Sequence, residues 1–309
     1  MIEENLYIVG HPVSHSKSPA MYNAAYEKLG IDWKYGFKDI GNADDAERFL
    51  KSGDYISVNI TTPYKPEALK AATILGATSK LAGGVNLLVR KDESLLGYNV
   101  DGDGAIRFME REGVEFWDSK VVVCGTGPTA LSILHAATMA GAKEVTLLGR
   151  DKSKSKKVLQ RYVDDFQELA SSAIPISAGL PNRREFLDAY EYASFKFGSY
   201  DTSKQAISEA DVIVDATVLG MKEGDPPPFD TSLLREGQVV MDTVYGHGET
   251  AILHDARERG CRAFDGAGML VSQAVLSANI VFEIQDVRID ESYDELFDIM
   301  AQGAGFSFQ

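Results

Sequence analysis

Short apolar runs alternate with amphipathic stretches along the whole chain. Residues 6–9, 34–39, 55–60 and 85–89 read as strands, and 20–29, 44–52 and 66–75 between them read as helices. In the first of these helices Met21, Ala24, Ala25 and Leu29 recur at helical spacing, which buries one face. A helix over 105–112 precedes a second series, with strands over 120–124, 144–148, 210–216 and 239–245 and helices over 130–140, 251–260 and 271–284. Strands that alternate with helices in both halves predict an α/β protein of two open α/β domains, with the cleft between them as the site.

Polar residues gather where these runs end. Asn59-Ile60-Thr61-Thr62-Pro63-Tyr64-Lys65 joins a strand to a helix, the place where open α/β sheets hold ligands. Pro63 fits the first turn of that helix. Asn59, Thr61 and Lys65 can then converge on one small molecule. The segment Ser14-His15-Ser16-Lys17-Ser18-Pro19 is hydroxyl-rich and opens a helix at Pro19. Ser16 and Ser18, beside free N–H groups, suit a carboxylate; Ser18 also reads as a plain N-cap. Asn86 stands in an apolar run and needs a partner, which is either a ligand hydroxyl or the backbone. In Asn99-Val100-Asp101-Gly102-Asp103-Gly104, two glycines between acids mark a tight turn, and Asp101 can face the same cleft as Lys65.

In the second half a β-branched run feeds Gly125-Thr126-Gly127-Pro128-Thr129-Ala130, a Gly-x-Gly-x-x-Ala pattern that opens a helix. That strand-turn-helix context predicts a Rossmann-type dinucleotide site, with pyrophosphate at the helix start. Pro128 removes one amide from the cradle. The next strand ends in Gly149-Arg150-Asp151-Lys152-Ser153-Lys154. Arginine here accommodates a 2′-phosphate, whereas an acid would bond a ribose 2′-hydroxyl. Arg150, Lys152 and Lys154 favour NADP; Asp151 pulls toward NAD. The domains are then 1–109, completed by 272–309, for substrate, and 110–271 for the dinucleotide.

Composition narrows the function. The 46 acidic against 31 basic residues give a net charge of −15, which opposes a non-specific hold on nucleic acid or anionic membrane. An anionic ligand must be met by local positive groups. Cys124 and Cys261 form no metal-ligand spacing and the five histidines form no HExxH-type pair, so no metal is expected. No basic leader precedes the first strand, and no run reaches about 18 uninterrupted apolar residues. The expectation is a cytoplasmic protein, a monomer or homodimer, whose partner is a small-molecule substrate.

The segments SHSKSP at 14–19, NITTPYK at 59–65, GGVN at 83–86 and NVDGDG at 99–104, in this order and spacing, resemble the shikimate dehydrogenase family. The resemblance implies reversible reduction of 3-dehydroshikimate to shikimate with NADPH. It implies that Ser16 and Ser18 hold the substrate carboxylate, that Asn59, Thr61, Asn86 and Asp101 bind ring hydroxyls, and that Lys65 and Asp101 form the catalytic pair. Tyr245 matches a family tyrosine near the substrate. Phe264-Asp265-Gly266-Ala267-Gly268-Met269-Leu270-Val271-Ser272-Gln273 matches a motif whose glutamine reaches a substrate hydroxyl, with Gly266 and Met269 near the cofactor. Ala216-Thr217-Val218 resembles the family loop over the nicotinamide, with Asp215 in place of an asparagine. Where the family has Asn-Pro-x-x-Thr-Pro this chain has Gly246-His247-Gly248-Glu249-Thr250-Ala251. That departure keeps open a quinate or aminoshikimate dehydrogenase using NAD, and in another class a cofactor-binding regulatory protein without turnover. Residues 155–205 are polar, longer than the family usually carries, and read as a solvated insert.

Overall fold

The computed structural model describes residues 5–171 and 183–308. The chain divides into two compact units, one of the described residues up to Val100 and from Val271 on, the other of those from Asp101 to Leu270.

The first unit runs β1 (Leu6–Gly10), α1 (Ser18–Leu29), β2 (Tyr35–Asp39), α2 (Ala43–Ser52), β3 (Ser57–Ile60), α3 (Lys65–Ala71), β4 (Ile74–Leu75), α4 (Ala77–Ala82), β5 (Leu87–Lys91) and β6 (Ser94–Tyr98). Its sheet has the order β2-β1-β3-β5-β6-β4. β1 pairs parallel with both β2 and β3, while β5 runs antiparallel to β3 and β6. Val9, Leu50, Val58, Ile60, Tyr64 and Leu88 belong to its core. The single helix expected over 66–75 is instead α3 followed by β4. Ala72 leaves the helix in an extended conformation, and Ile74 and Leu75 pair with Leu96 and Gly97.

The second unit opens with α5 (Asp101–Arg111), so residues 101–104 are the first turn of a helix and not the tight turn expected. Gly102 serves close packing: a Cβ there would lie 2.0 Å from the Ser132 carbonyl oxygen. This contact carries α5 into the second unit and moves the boundary ahead of residue 109. The unit continues with β7 (Lys120–Cys124), α6 (Pro128–Met139), β8 (Glu144–Gly149), α7 (Lys152–Ser171), α8 (Arg183–Tyr192), β9 (Ser194–Ser199), α9 (Lys204–Glu209), β10 (Val212–Asp215), β11 (Val239–Asp242), α10 (Ala251–Glu258) and β12 (Arg262–Phe264). All six strands are parallel in the order β12-β11-β10-β7-β8-β9, the doubly wound arrangement expected of a Rossmann-type sheet.

Two helices end the chain, α11 (Gly266–Ile284) and α12 (Tyr293–Ala304). α11 starts before residue 271, so Gly266 and Gly268 lie in its first turn. It is long and apolar enough to cross a membrane by length and composition, and 67% of it is buried inside the protein, as in a core helix. α12 packs on α1 so closely that a Cβ at Gly303 would lie 2.6 Å from that of Ala24.

Residues 155–205 are not a solvated insert where they are described; residues 172–182 of that stretch lie outside the described residues. β9 is a hydrogen-bonded edge strand. Tyr162 and Phe166 on α7 are fully buried, and Phe166 stacks on Tyr190 with ring centroids 4.2 Å apart. The ring sits against His135, whose titration burial pushes down to about 4. Phe166→Ala is expected to destabilise this unit by about 3–5 kcal/mol, measured as a shift in the urea unfolding midpoint. A change within a few tenths of a kcal/mol would mean that the helix is only a solvated attachment.

Candidate active site

In the first unit the parallel strands part on either side of β1, which leads to β2 on one flank and lies against β3 on the other. Ligands of open α/β sheets bind at the carboxyl ends of strands at such a switch point. The turns after β1 and β3 meet there. The Thr61 N–H donates to the Val9 carbonyl at 2.9 Å, and the His11 N–H donates to the Thr62 carbonyl at 3.2 Å. A Cβ on Gly10 would lie 2.4 Å from Thr61 Cγ2, so only glycine lets the two turns come this close.

Lys65 opens α3 and Pro66, not Pro63, occupies the helix's first turn; Pro63 lies in the turn before it. Tyr64 is buried and its hydroxyl donates to the Ile40 carbonyl, which pins the helix start. The Val85 N–H donates to the Lys65 carbonyl at 3.1 Å, bringing the segment with Asn86 alongside. The buried Asn86 accepts from the Val100 N–H through Oδ1 at 3.0 Å, so part of its amide serves the backbone. Ser18 lies within α1 and is buried, while Lys17 holds the N-cap position without a side-chain bond. Ser16 does the capping work: its Oγ accepts from the Ser18 N–H at 3.2 Å and lies 3.2 Å from the Ser18 hydroxyl. Gln273, on α11, is half-buried in this same unit.

Asn59 is more committed than the sequence implies. The Tyr35 hydroxyl donates to its Oδ1 at 2.8 Å, and its Nδ2 donates to Ser277 Oγ at 3.1 Å. The Tyr35 ring stacks on Tyr22 at 4.2 Å. Tyr35 and Ser277 were not singled out in the sequence. Ser277 could have been, as a polar residue in the apolar run of α11, by the argument already applied to Asn86.

In the second unit the switch point lies between β7 and β10. Gly125 adopts a left-handed φ of 119°, and a Cβ there would meet the Ala216 carbonyl oxygen at 2.9 Å. Gly127 is the N-cap of α6, Pro128 stands in its first turn, and no side chain caps it. The first N–H groups of a helix have no partner within it, and this helix start lies beside an exposed glycine around which a side chain would meet nothing within 4 Å. These residues fit a dinucleotide pyrophosphate. Thr129 also donates from its hydroxyl to Asp101 Oδ2 at 3.0 Å, tying this turn to the first residue of α5.

Beyond β8, Gly149 is buried and Arg150 exposed. Asp151 Oδ1 accepts from the N–H groups of Ser153 and Lys154 at 2.7 and 3.3 Å, so its carboxylate caps α7. Thr217 and Val218 follow β10, the latter exposed. Tyr245 follows β11 half-buried, and burial raises its phenol above the ordinary range. Gly266 and Gly268 serve packing: Cβ atoms there would lie 2.1 Å from the Thr243 carbonyl oxygen and 2.2 Å from the Phe108 ring. Met269 is buried. Among the described residues no cluster of three metal-ligating side chains occurs.

A doubly wound parallel sheet with a glycine-rich turn at its switch point, joined in one chain to a mixed α/β unit, defines a two-domain dinucleotide-binding protein. Residues 8–88 match the family model of the shikimate dehydrogenase substrate binding domain. The chain is 33% identical to the shikimate dehydrogenase (NADP(+)) of Rubrobacter xylanophilus over 87% of either chain. It is 30% identical to the protein of the same name from Alkaliphilus metalliredigens over 87% of this chain and 88% of that one. The shikimate 5-dehydrogenase of Listeria monocytogenes, solved with shikimate and NAD, superposes with a TM-score of 0.74 over 96% of both chains at 25% identity. The chain belongs to the shikimate dehydrogenase family.

Tyr35→Phe would leave the buried Asn59 Oδ1 without its donor, so a loss of about 1–3 kcal/mol is expected. Thermal or urea unfolding checks it, and an unchanged midpoint would show that the bond contributes nothing.

Proposed function

We propose that the chain is an NADP-dependent oxidoreductase that interconverts 3-dehydroshikimate and shikimate at a ring CH–OH group. The observation that supports this reading is Lys65 at the start of α3, directly after the threonine turn that meets the turn following β1 at the switch point of its sheet. The relatives quoted above, matched over most of the chain, bear names for this reaction.

NADPH, when bound, supplies the hydride. Negative charge then builds on the ketone oxygen, and the Lys65 ammonium stabilises that charge and donates the proton. Lys65 and Asp101 are the catalytic pair of this reading, with Thr129 fixing the Asp101 carboxylate. Ser16 and Ser18 offer hydroxyls to the substrate carboxylate. Thr61, Asn86, Tyr245 and Gln273 serve the rest of the ring. Asn59 contributes at most its remaining amide hydrogen and lone pair, since Tyr35 and Ser277 use the others. Gly125, Thr126, Gly127, Thr129 and Ala130 hold the pyrophosphate, with Gly149, Thr217, Val218, Gly266 and Met269 around the remaining cofactor. Arg150 and Lys154 meet the 2′-phosphate. Asp151 opposes it less than the sequence suggests, because its Oδ1 is engaged by N–H groups at the start of α7.

Lys65→Ala is expected to lower kcat by roughly 10²–10⁴ with the fold intact. Unchanged kcat with a raised KM would make Lys65 a binding residue instead.

One observation favours a different cyclic hydroxy acid. After Tyr245 the chain turns through two left-handed glycines, Gly246 at φ 76° and Gly248 at φ 82°, where the resemblance leads one to expect Asn-Pro. Shikimate, quinate and aminoshikimate, each offered with NAD and with NADP while nicotinamide absorbance is followed, decide between them. Shikimate with NADP is expected to give the highest kcat/KM. Arg150→Ala is expected to cut the preference for NADP about tenfold to a hundredfold, the worth of a charge-assisted hydrogen bond of about 1.5–3 kcal/mol. A preference that survives the substitution rules out Arg150 as its source.

A further inference from the structure

Two buried acids lie side by side at the carboxyl end of the second sheet. Asp215 ends β10 and Asp242 ends β11, partners in parallel register, at 1% and 0% exposure. Their hydrogen bonding differs. Asp242 is served at both oxygens: Oδ1 accepts from the Val244 N–H at 2.9 Å, and Oδ2 from the Thr250 hydroxyl at 2.6 Å. Asp215 accepts from the Thr217 N–H at Oδ1, at 2.9 Å, while its buried Oδ2 has no hydrogen-bond partner.

Nothing else nearby neutralises the pair. On the other flank Asp215 meets Cys124, a buried thiol that burial keeps protonated. Tyr200 near Asp215 is a phenol pushed upward by burial, and Arg150 acts on Tyr200, not on the acids. Asp265 adds further negative charge next to Asp242, and Asp225 lines the same crevice as the pair with its Oδ2 bonded to the Gly220 and Lys222 N–H groups. Among the described residues no lysine, arginine or histidine acts on either acid. The crevice is too narrow for a water molecule. Two adjacent buried carboxyls cannot both ionise under these conditions, and the one with fewer donors takes the proton.

We propose that Asp215 is a positioning residue that carries a proton in the working protein and shares it with the Asp242 carboxylate, holding two loops together. One loop is 216–221, which Asp215 grips through the Thr217 N–H; the other is 246–250, which Asp242 grips through Thr250. They touch directly: Gly220 has a left-handed φ of 93°, and a Cβ there would lie 2.6 Å from Thr250 Cγ2. Burial, and next the Asp242 charge, push Asp215 up to about 7, so the proton leaves around neutrality. The resemblance leads one to expect asparagine at 215, a neutral donor at every pH. This chain reaches the same neutrality with a titratable group. The effect on cofactor rests on the reading that Thr217 and Val218 contact it; the shared proton does not.

The folded protein keeps a proton at Asp215 that the unfolded chain releases near pH ~3.9. Stability from this site therefore falls as pH rises from there to about 7, and is level above. The test compares the full chain with Asp215→Asn. The expected result is melting temperatures that nearly coincide at pH 4 and separate by several degrees in favour of Asp215→Asn at pH 8. NADPH affinity, followed by its fluorescence, should weaken several-fold more in the unmodified chain than in Asp215→Asn between pH 6 and pH 8.5. Carboxyl NMR of the ¹³C-aspartate-labelled chain should show an aspartate titrating near neutrality that the variant lacks, and it decides the protonation even if the variant fails to fold. No such aspartate, or parallel melting curves, overturns the shared proton. Equal pH dependence of NADPH affinity overturns the positioning role. NADPH binding absent at every pH, with the titration present, removes the cofactor reading and leaves the shared proton standing.

Discussion

The parallel register of β1 on β3 is the constraint that the first unit's chemistry depends on. Leu6 to Val9 lie opposite Ser57 to Ile60, so both strands release their chains at one level. The glycine turn after β1 and the threonine turn after β3 then share backbone hydrogen bonds and van der Waals contact. A slip of one residue would turn Asn59 from the face it shares with Tyr35 and Ser277 and put Val58 there. Lys65 would lose its position with it, because the start of α3 is tied to β5 through Val85 and to the end of β2 through Tyr64 and Ile40. Backbone pairing thus places side chains that have little hold on one another.

The second unit applies the same rule with stricter geometry. Its strands are all parallel, and their apolar residues are buried on both faces, as in Val121-Val122-Val123-Cys124. Polar groups can enter only at strand ends. There Gly125 and Asp215 sit beside each other's strands, and α6 begins without a capping side chain. A helix start without a cap is a cost that a bound anion offsets.

The two sheets were legible because their signals are local: β-branched runs, glycine punctuation and prolines at helix starts. The misreadings share one cause, which is packing between elements distant in sequence. Gly102 looks like a turn residue in isolation, but it is small so that α5 can lie against the Ser132 backbone. Ile74 and Leu75 extend a helical pattern and are pulled into strand pairing by Leu96 and Gly97. Residues 155–205 look polar, yet Tyr162, Phe166, Tyr190 and Phe195 are spaced to close over α6. Tyr35 and Ser277 stand far from Asn59 in the chain and carry no motif that ties them to it. Asp151 was visible, but its task as an N-cap appears only once α7 starts directly after it.

Charge brings the two units under one argument. A chain with a net charge of −15 repels an acid substrate and a phosphate-rich cofactor at long range, but screening limits that repulsion to about 8 Å at physiological ionic strength. Within that distance local groups decide, and on the proposed reading these are Lys65 and Ser16 in one unit and Arg150, Lys152, Lys154 and the start of α6 in the other. The acids are kept out of the way by employment or by protons. Asp151 is occupied by two N–H groups, and Asp242 by a hydroxyl and an N–H. Asp215 lacks enough donors to be held as an anion. It lies at the same strand ends as the glycine turn after β7, so its neutrality removes one negative charge from the place where, on the proposed reading, a phosphate-bearing ligand can least tolerate it.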